Sequence, residues 1–76
     1  MRKATVKTKH ILSENIRKYR RKKNISQEKL AEICGLHRTY IGSVEREERN
    51  VTLSTLEALS DALGVPVTAL LTKRSN

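Results

Sequence analysis

Seventy-six residues with sixteen Lys or Arg against eight Asp or Glu, a formal charge of +8, leave room for one small domain. One cysteine excludes an intramolecular disulfide, and Cys34, His10 and His37 are too few and too scattered for a structural zinc site. No apolar run approaches the about 18 residues of a membrane span, and the polar amino terminus is unlike a signal peptide, so the expectation is a reducing cytoplasm of bacterial type, with no membrane partner and no cofactor.

Charge is unevenly placed. Residues 1–23 hold ten Lys or Arg against one Glu, a balance of +9 that leaves −1 for the rest. So concentrated a field favours nucleic acid through counterion release, although it would also attract an anionic membrane or an acidic protein. Residues 1–10, MRKATVKTKH, carry too little apolar surface to pack and read as a flexible basic arm ahead of a domain over 11–72. A first helix is predicted from about 12 to 23, with Leu12, Ile16 and Tyr19 on one face and Arg17, Lys18, Arg21 and Lys22 turned to solvent or phosphate.

Asn24 and Ile25 lead to a second helix near 26–34, capped by Ser26, in which Leu30, Ile33 and Cys34 gather on one face above Ala31. Gly35 suits a positive φ that stops this helix and turns the chain. A third helix over about 37–46 follows, with His37 at the N-cap position and Leu36, Ile41 and Val44 directed inward. After the polar EERNV loop, Thr52 is the expected cap of a fourth helix through Leu63, whose Leu53, Leu56, Leu59 and Leu63 form an apolar stripe. Gly64 ends it, Pro66 suits the first position of a short fifth helix with Val67, Leu70 and Leu71, and residues 73–76 read as a disordered tail. With no strand alternation and no repeat, the expected fold is all-α, a compact five-helix bundle.

Residues 26–46 thus hold two amphipathic helices joined by a glycine-centred turn, the helix-turn-helix arrangement that sets one helix in a major groove. Rotation at about 100° per residue with Ile41 inward puts Val44, His37 and Glu45 on the buried side and turns Thr39, Gly42, Ser43 and Arg46 outward, flanked by Arg38 and Tyr40. A mid-helix glycine costs roughly 1 kcal/mol against alanine, so an outward Gly42 points to close approach of a base or sugar, or to crowding against the first helix. Arg38 suits guanine, because a guanidinium can donate to O6 and N7 together, and Thr39 suits the thymine methyl. Tyr40 can donate to a backbone oxygen or serve packing alone. Gln27, at the opening of the second helix, suits a phosphate or plain capping, and Ser43, Arg46, Arg49 and Asn50 are further candidates. No Gly-rich phosphate loop, HExxH, nucleophile elbow or carboxylate pair with a nearby base can be assembled, which argues against an enzyme.

Gln27, Leu30, Ala31, Gly35, Leu36, Ile41 and Val44 resemble the pattern of the Cro and repressor type of helix-turn-helix domain, and the likeness runs over residues 12–71. LHRTYIGSVEREERNVTLSTLEAL is similar, more narrowly, to the controller proteins of restriction-modification systems. The resemblance implies a lambda repressor-like fold and a sequence-specific transcriptional regulator acting as a homodimer on a pseudo-palindromic operator in double-stranded DNA. It also implies autoregulation, activating at low dose and repressing at high dose, with RNA polymerase a candidate further partner.

Arg38, Thr39 and Tyr40 match a triplet that meets DNA in the family, Arg49 and Asn50 match a loop near the backbone, and Arg20 matches a buried arginine, so an Arg20–Glu45 ion pair is expected. Dimerisation is expected through Leu63, Val67, Leu70 and Leu71, more apolar surface than so small a core needs. Glu47 departs from the pattern, standing where relatives carry glycine, so either the third helix ends differently or Glu47 takes a positive φ. A phage-type repressor, an antitoxin regulator and a protein-binding adaptor on the same scaffold are the alternatives.

Overall fold

Thr5 opens the described part of the chain, residues 5–73 of a computed structural model, by accepting the Thr8 N–H at its hydroxyl, 3.2 Å away. This cap starts helix α1 at Val6, and α1 runs to Lys22. Residues 6–10 of the expected arm are therefore helical, while residues 1–4 lie outside the described residues. The reason is cooperativity: once Leu12 and Ile16 anchor a helix, extending it toward its amino terminus requires only propagation, with no apolar stripe of its own. Val6 is 77% exposed in this extension.

The remaining elements follow the periodicity closely: α2 Gln27–Cys34, α3 Arg38–Glu45, α4 Leu53–Leu63 and α5 Val67–Leu71. Ser26 and Thr52 cap α2 and α4 by accepting N–H groups three residues on. Pro66 stands at the cap of α5, one residue before its first turn. At Gly35, φ is +70°, and the next amide, Leu36 N–H, closes back on Ala31 O at 2.8 Å, so the turn between α2 and α3 consumes the carbonyls that α2 leaves open.

Ten apolar residues from all five helices form one core: Leu12 and Ile16, Leu30 and Ala31, Ile41 and Val44, Leu56, Leu59 and Leu63, and Leu70. Two of the residues expected between copies belong to it. Leu63 is 3% and Leu70 0% exposed within the single chain, so neither has surface left for a partner. α5 needs Leu70 as its anchor, because five residues cannot hold a helix without tertiary contacts. Val67 is half-buried and Leu71 exposed, and these two remain at the surface. Ile33 and Leu53 also fall outside the core, since each lies at the margin of its helix's apolar stripe.

Asn15 completes the arrangement. Its buried amide donates to Leu70 O at 2.8 Å and Thr72 O at 3.0 Å, so α1 supplies the hydrogen bonds that the last carbonyls of α5 lack. No sequence pattern marked this residue, because its partners are more than fifty positions away.

Candidate nucleic-acid interface

His37 begins α3 with an imidazole cap, its Nδ1 accepting Thr39 N–H at 3.2 Å. Ile41 and Val44 then fix the helix against the core, and Glu45 follows them inward at 4% exposure. An unpaired carboxylate there would be costly, and this one is fully engaged. Arg20 Nε donates to its Oε2 at 2.8 Å and Arg20 Nη2 to its Oε1 at 3.2 Å, so the expected pair joins α1 to α3. Arg20 also donates from Nη1 to Ile25 O, and Arg17 donates to the main-chain oxygen of Glu45. A third donor went unforeseen: Gln27 Nε2 reaches Glu45 Oε1 at 3.0 Å. The sequence places Gln27 at the head of α2 but carries no signal that its amide is held from α3.

Gln27, Arg38, Thr39 and Arg46 surround a shallow recess of about 250 Å³ whose floor is Gly42. Arg38 and Thr39 are exposed at the amino-terminal end of α3, and Arg38 makes no hydrogen bond or ion pair among the described residues. Gly42 keeps the outward direction that helical rotation assigns it but is buried, because the Arg46 guanidinium and the Gln27 amide lie over it. A Cβ at this position would stand 3.1 Å from Arg46 Nη1 and 3.8 Å from Gln27 Oε1. The neighbours are thus the recess walls, and crowding against α1 does not explain the glycine.

Ser43 is likewise covered, at 7% exposure, in place of the outward position that helical rotation assigns it. Arg49 explains the difference. Its Nε donates to Ser43 Oγ at 3.0 Å while its guanidinium lies 4.7 Å above the Tyr40 ring, and Ser43 in turn donates to Tyr40 O. The half-buried Tyr40 therefore packs and carries a cation at once. Arg46 is exposed but paired with Glu48 through two bonds, at 3.1 and 3.2 Å, and Asn50 is exposed at the end of the same loop.

Glu47 takes the second of its two expected courses, with φ +65° directly after the α3 C-cap. Its Oε2 lies 2.9 Å from His10 Nδ1, and Glu14 Oε2 lies 3.4 Å from the other ring nitrogen. The hydrogen bond to Glu47, then the negative charges of Glu14 and Glu47, raise the His10 pKa above its ordinary 6.5. Cys34 is a packing residue: its thiol donates to Ala58 O, and burial pushes its pKa up, away from reactivity. Among the described residues no helix is long and apolar enough to cross a membrane.

Comparison with known proteins agrees with this geometry. The helix-turn-helix family model matches residues 16–70. Control protein C.SmaI of Serratia marcescens is 67% identical over 66 residues, covering 87% of this chain and 79% of that protein. Among solved structures, the restriction-modification controller protein C.AhdI from Aeromonas hydrophila superposes with a TM-score of 0.79 at 39% identity, covering 82% of this chain and 94% of that one. A hypothetical transcription factor from Neisseria reaches 0.85 at 39% identity over 96% and 85% of the two chains. The chain belongs to the helix-turn-helix family of DNA-binding regulators and is similar, in sequence and in fold, to the control proteins of restriction-modification systems.

Proposed function

We propose that the protein is a non-enzymatic controller of restriction-modification genes that binds a pseudo-palindromic operator as a homodimer and regulates its own expression in a bacterial cytoplasm. The observation that carries this reading is the recess over Gly42. Its rim holds the Arg38 guanidinium, which has no partner among the described residues, a threonine and an amide, which are groups suited to base edges and phosphates, and its floor lacks the side chain that would keep a duplex away. Arg38 reads guanine and Thr39 a thymine methyl. Gln27 grips a phosphate, and Tyr40, Ser43, Arg46, Arg49 and Asn50 support the strand beside it, with Ser43 acting through Arg49.

Two copies suit such an operator. The domain measures 30 × 29 × 19 Å, close to the roughly 34 Å between half-sites one helical turn apart. Val67 and Leu71 on α5 supply the apolar surface for pairing, and RNA polymerase is the further partner that activation requires. Selection of duplexes from a random library at about 0.15 M salt tests the reading. A paired motif is expected, with its guanine preference lost in Arg38→Ala. Salt-sensitive binding with no enriched motif would instead favour a basic scaffold that binds protein.

A further inference from the structure

Two features of this chain are unexplained by the recess, and they meet at one hydrogen bond. Glu47 keeps a positive φ that disfavours any residue with a Cβ. His10 lies on the first turns of α1, ahead of the apolar stripe that anchors that helix. Its Nδ1 nonetheless reaches Glu47 Oε2 at 2.9 Å across thirty-seven positions of sequence. The loop held in this way also carries Arg46, on the rim of the recess, and Arg49, which covers Ser43 and the Tyr40 ring.

We infer that His10 is a positioning residue for DNA binding: through Glu47 it holds the loop at 46–50 against α1 and covers a carboxylate that would otherwise repel phosphate. The inference rests on the DNA-binding reading proposed above. The charged groups facing His10 are Glu14 and Arg17 from α1 and Glu47 from the loop, and Arg17 is already committed to the Glu45 carbonyl. A neutral imidazole shares a hydrogen bond with Glu47 but leaves an uncancelled negative charge on the loop that carries Arg46 and Arg49. The imidazolium cancels that charge, so DNA binding takes up a proton at His10, and affinity falls as pH rises through the His10 titration.

The test is the dissociation constant for the selected operator duplex at about pH 6 and about pH 8, at fixed salt, for the intact protein, His10→Ala and Glu47→Gln. The intact protein is expected to gain about threefold more affinity on acidification than either variant, an effect of the size an exposed ion pair produces. His37, the other histidine, is present in all three proteins, so the difference belongs to the His10–Glu47 pair. A purely structural role would weaken His10→Ala equally at both pH values, and such parallel behaviour would overturn the assignment. An intact protein that bound no duplex at either pH would sink the DNA-binding reading itself, and this inference with it.

Discussion

Gln27 and Glu45 share a hydrogen bond of 3.0 Å that joins the rim of the interface to the inside of the fold. The same carboxylate oxygen accepts from Arg20 Nη2, so the group that locks α1 to α3 also sets the direction of the Gln27 amide. With Nε2 turned toward Glu45, Oε1 faces the recess above Gly42. Stability and recognition are therefore coupled at Glu45.

Removal of Glu45 is expected to strand the largely buried Arg20. Glu45→Ala should lower stability by about 3–5 kcal/mol, which is of the order of the whole stability of a domain this size, and thermal melting in the absence of DNA measures it. Gln27→Ala, by contrast, leaves Arg20 paired and removes one donor to the Glu45 carboxylate, so it should cost only about 0.5–1.5 kcal/mol while binding duplex more weakly. An unchanged melt for Glu45→Ala would mean that the pair does not hold the helices together.

Gly42→Ala should separate stability from binding. The added methyl meets the far end of the exposed Arg46 side chain, which can move aside, so the free protein should gain up to about 1 kcal/mol from better helix propensity. The same methyl fills the floor of the recess, and duplex affinity should fall about tenfold or more, as for an interface that depends on close backbone approach. Paired melting and binding curves for this one variant decide it.

Glu47→Gly relieves a left-handed backbone conformation at the loss of one exposed ion pair. The net expectation is a gain of about 0.5–1 kcal/mol, read as a higher melting temperature. A lower one would mean that the His10 contact outweighs the strain.

The His10–Glu47 pair also sets a pH dependence in the free protein. Because the folded His10 pKa lies above its ordinary 6.5, the contribution of the pair is complete below 6.5 and is lost as pH climbs through the raised folded value. The melting difference between the intact protein and His10→Ala should accordingly be larger at about pH 6 than at about pH 8.5. Equal differences at the two values would remove the linkage.

Leu70 and Leu71 are neighbours with opposite fates. Leu70→Ala opens a cavity in the core and should cost about 2–5 kcal/mol. Leu71→Asp should leave the folded monomer nearly unchanged and abolish self-association in sedimentation equilibrium, since its side chain is among the apolar groups that α5 leaves outside the core. A Leu71→Asp protein that still sedimented as a dimer would move the interface away from α5.

The sequence by itself determined the features that arise within a few residues of chain. Ser26, His37 and Thr52 mark helix starts, Gly35 and Gly64 mark helix ends, and the three- and four-residue spacing of Leu12 and Ile16, of Ile41 and Val44, and of Leu56, Leu59 and Leu63 marks the buried faces. These signals, with the residues that carry the family pattern, were enough for the fold and for the end of α3 that bears the recess. Tertiary structure decided which surface covers which. Period 3.6 assigns Ser43 to an outer face, but Arg49 folds back over it. It makes Leu63, Leu70 and Leu71 equally apolar, while only the packing of α5 on α1 and α4 separates the two that are consumed within the chain from the one that is not. It says nothing of His10 meeting Glu47, or of Gln27 meeting Glu45. Each of those contacts closes a long loop of chain, and their energy comes from geometry between helices, which a local pattern does not encode.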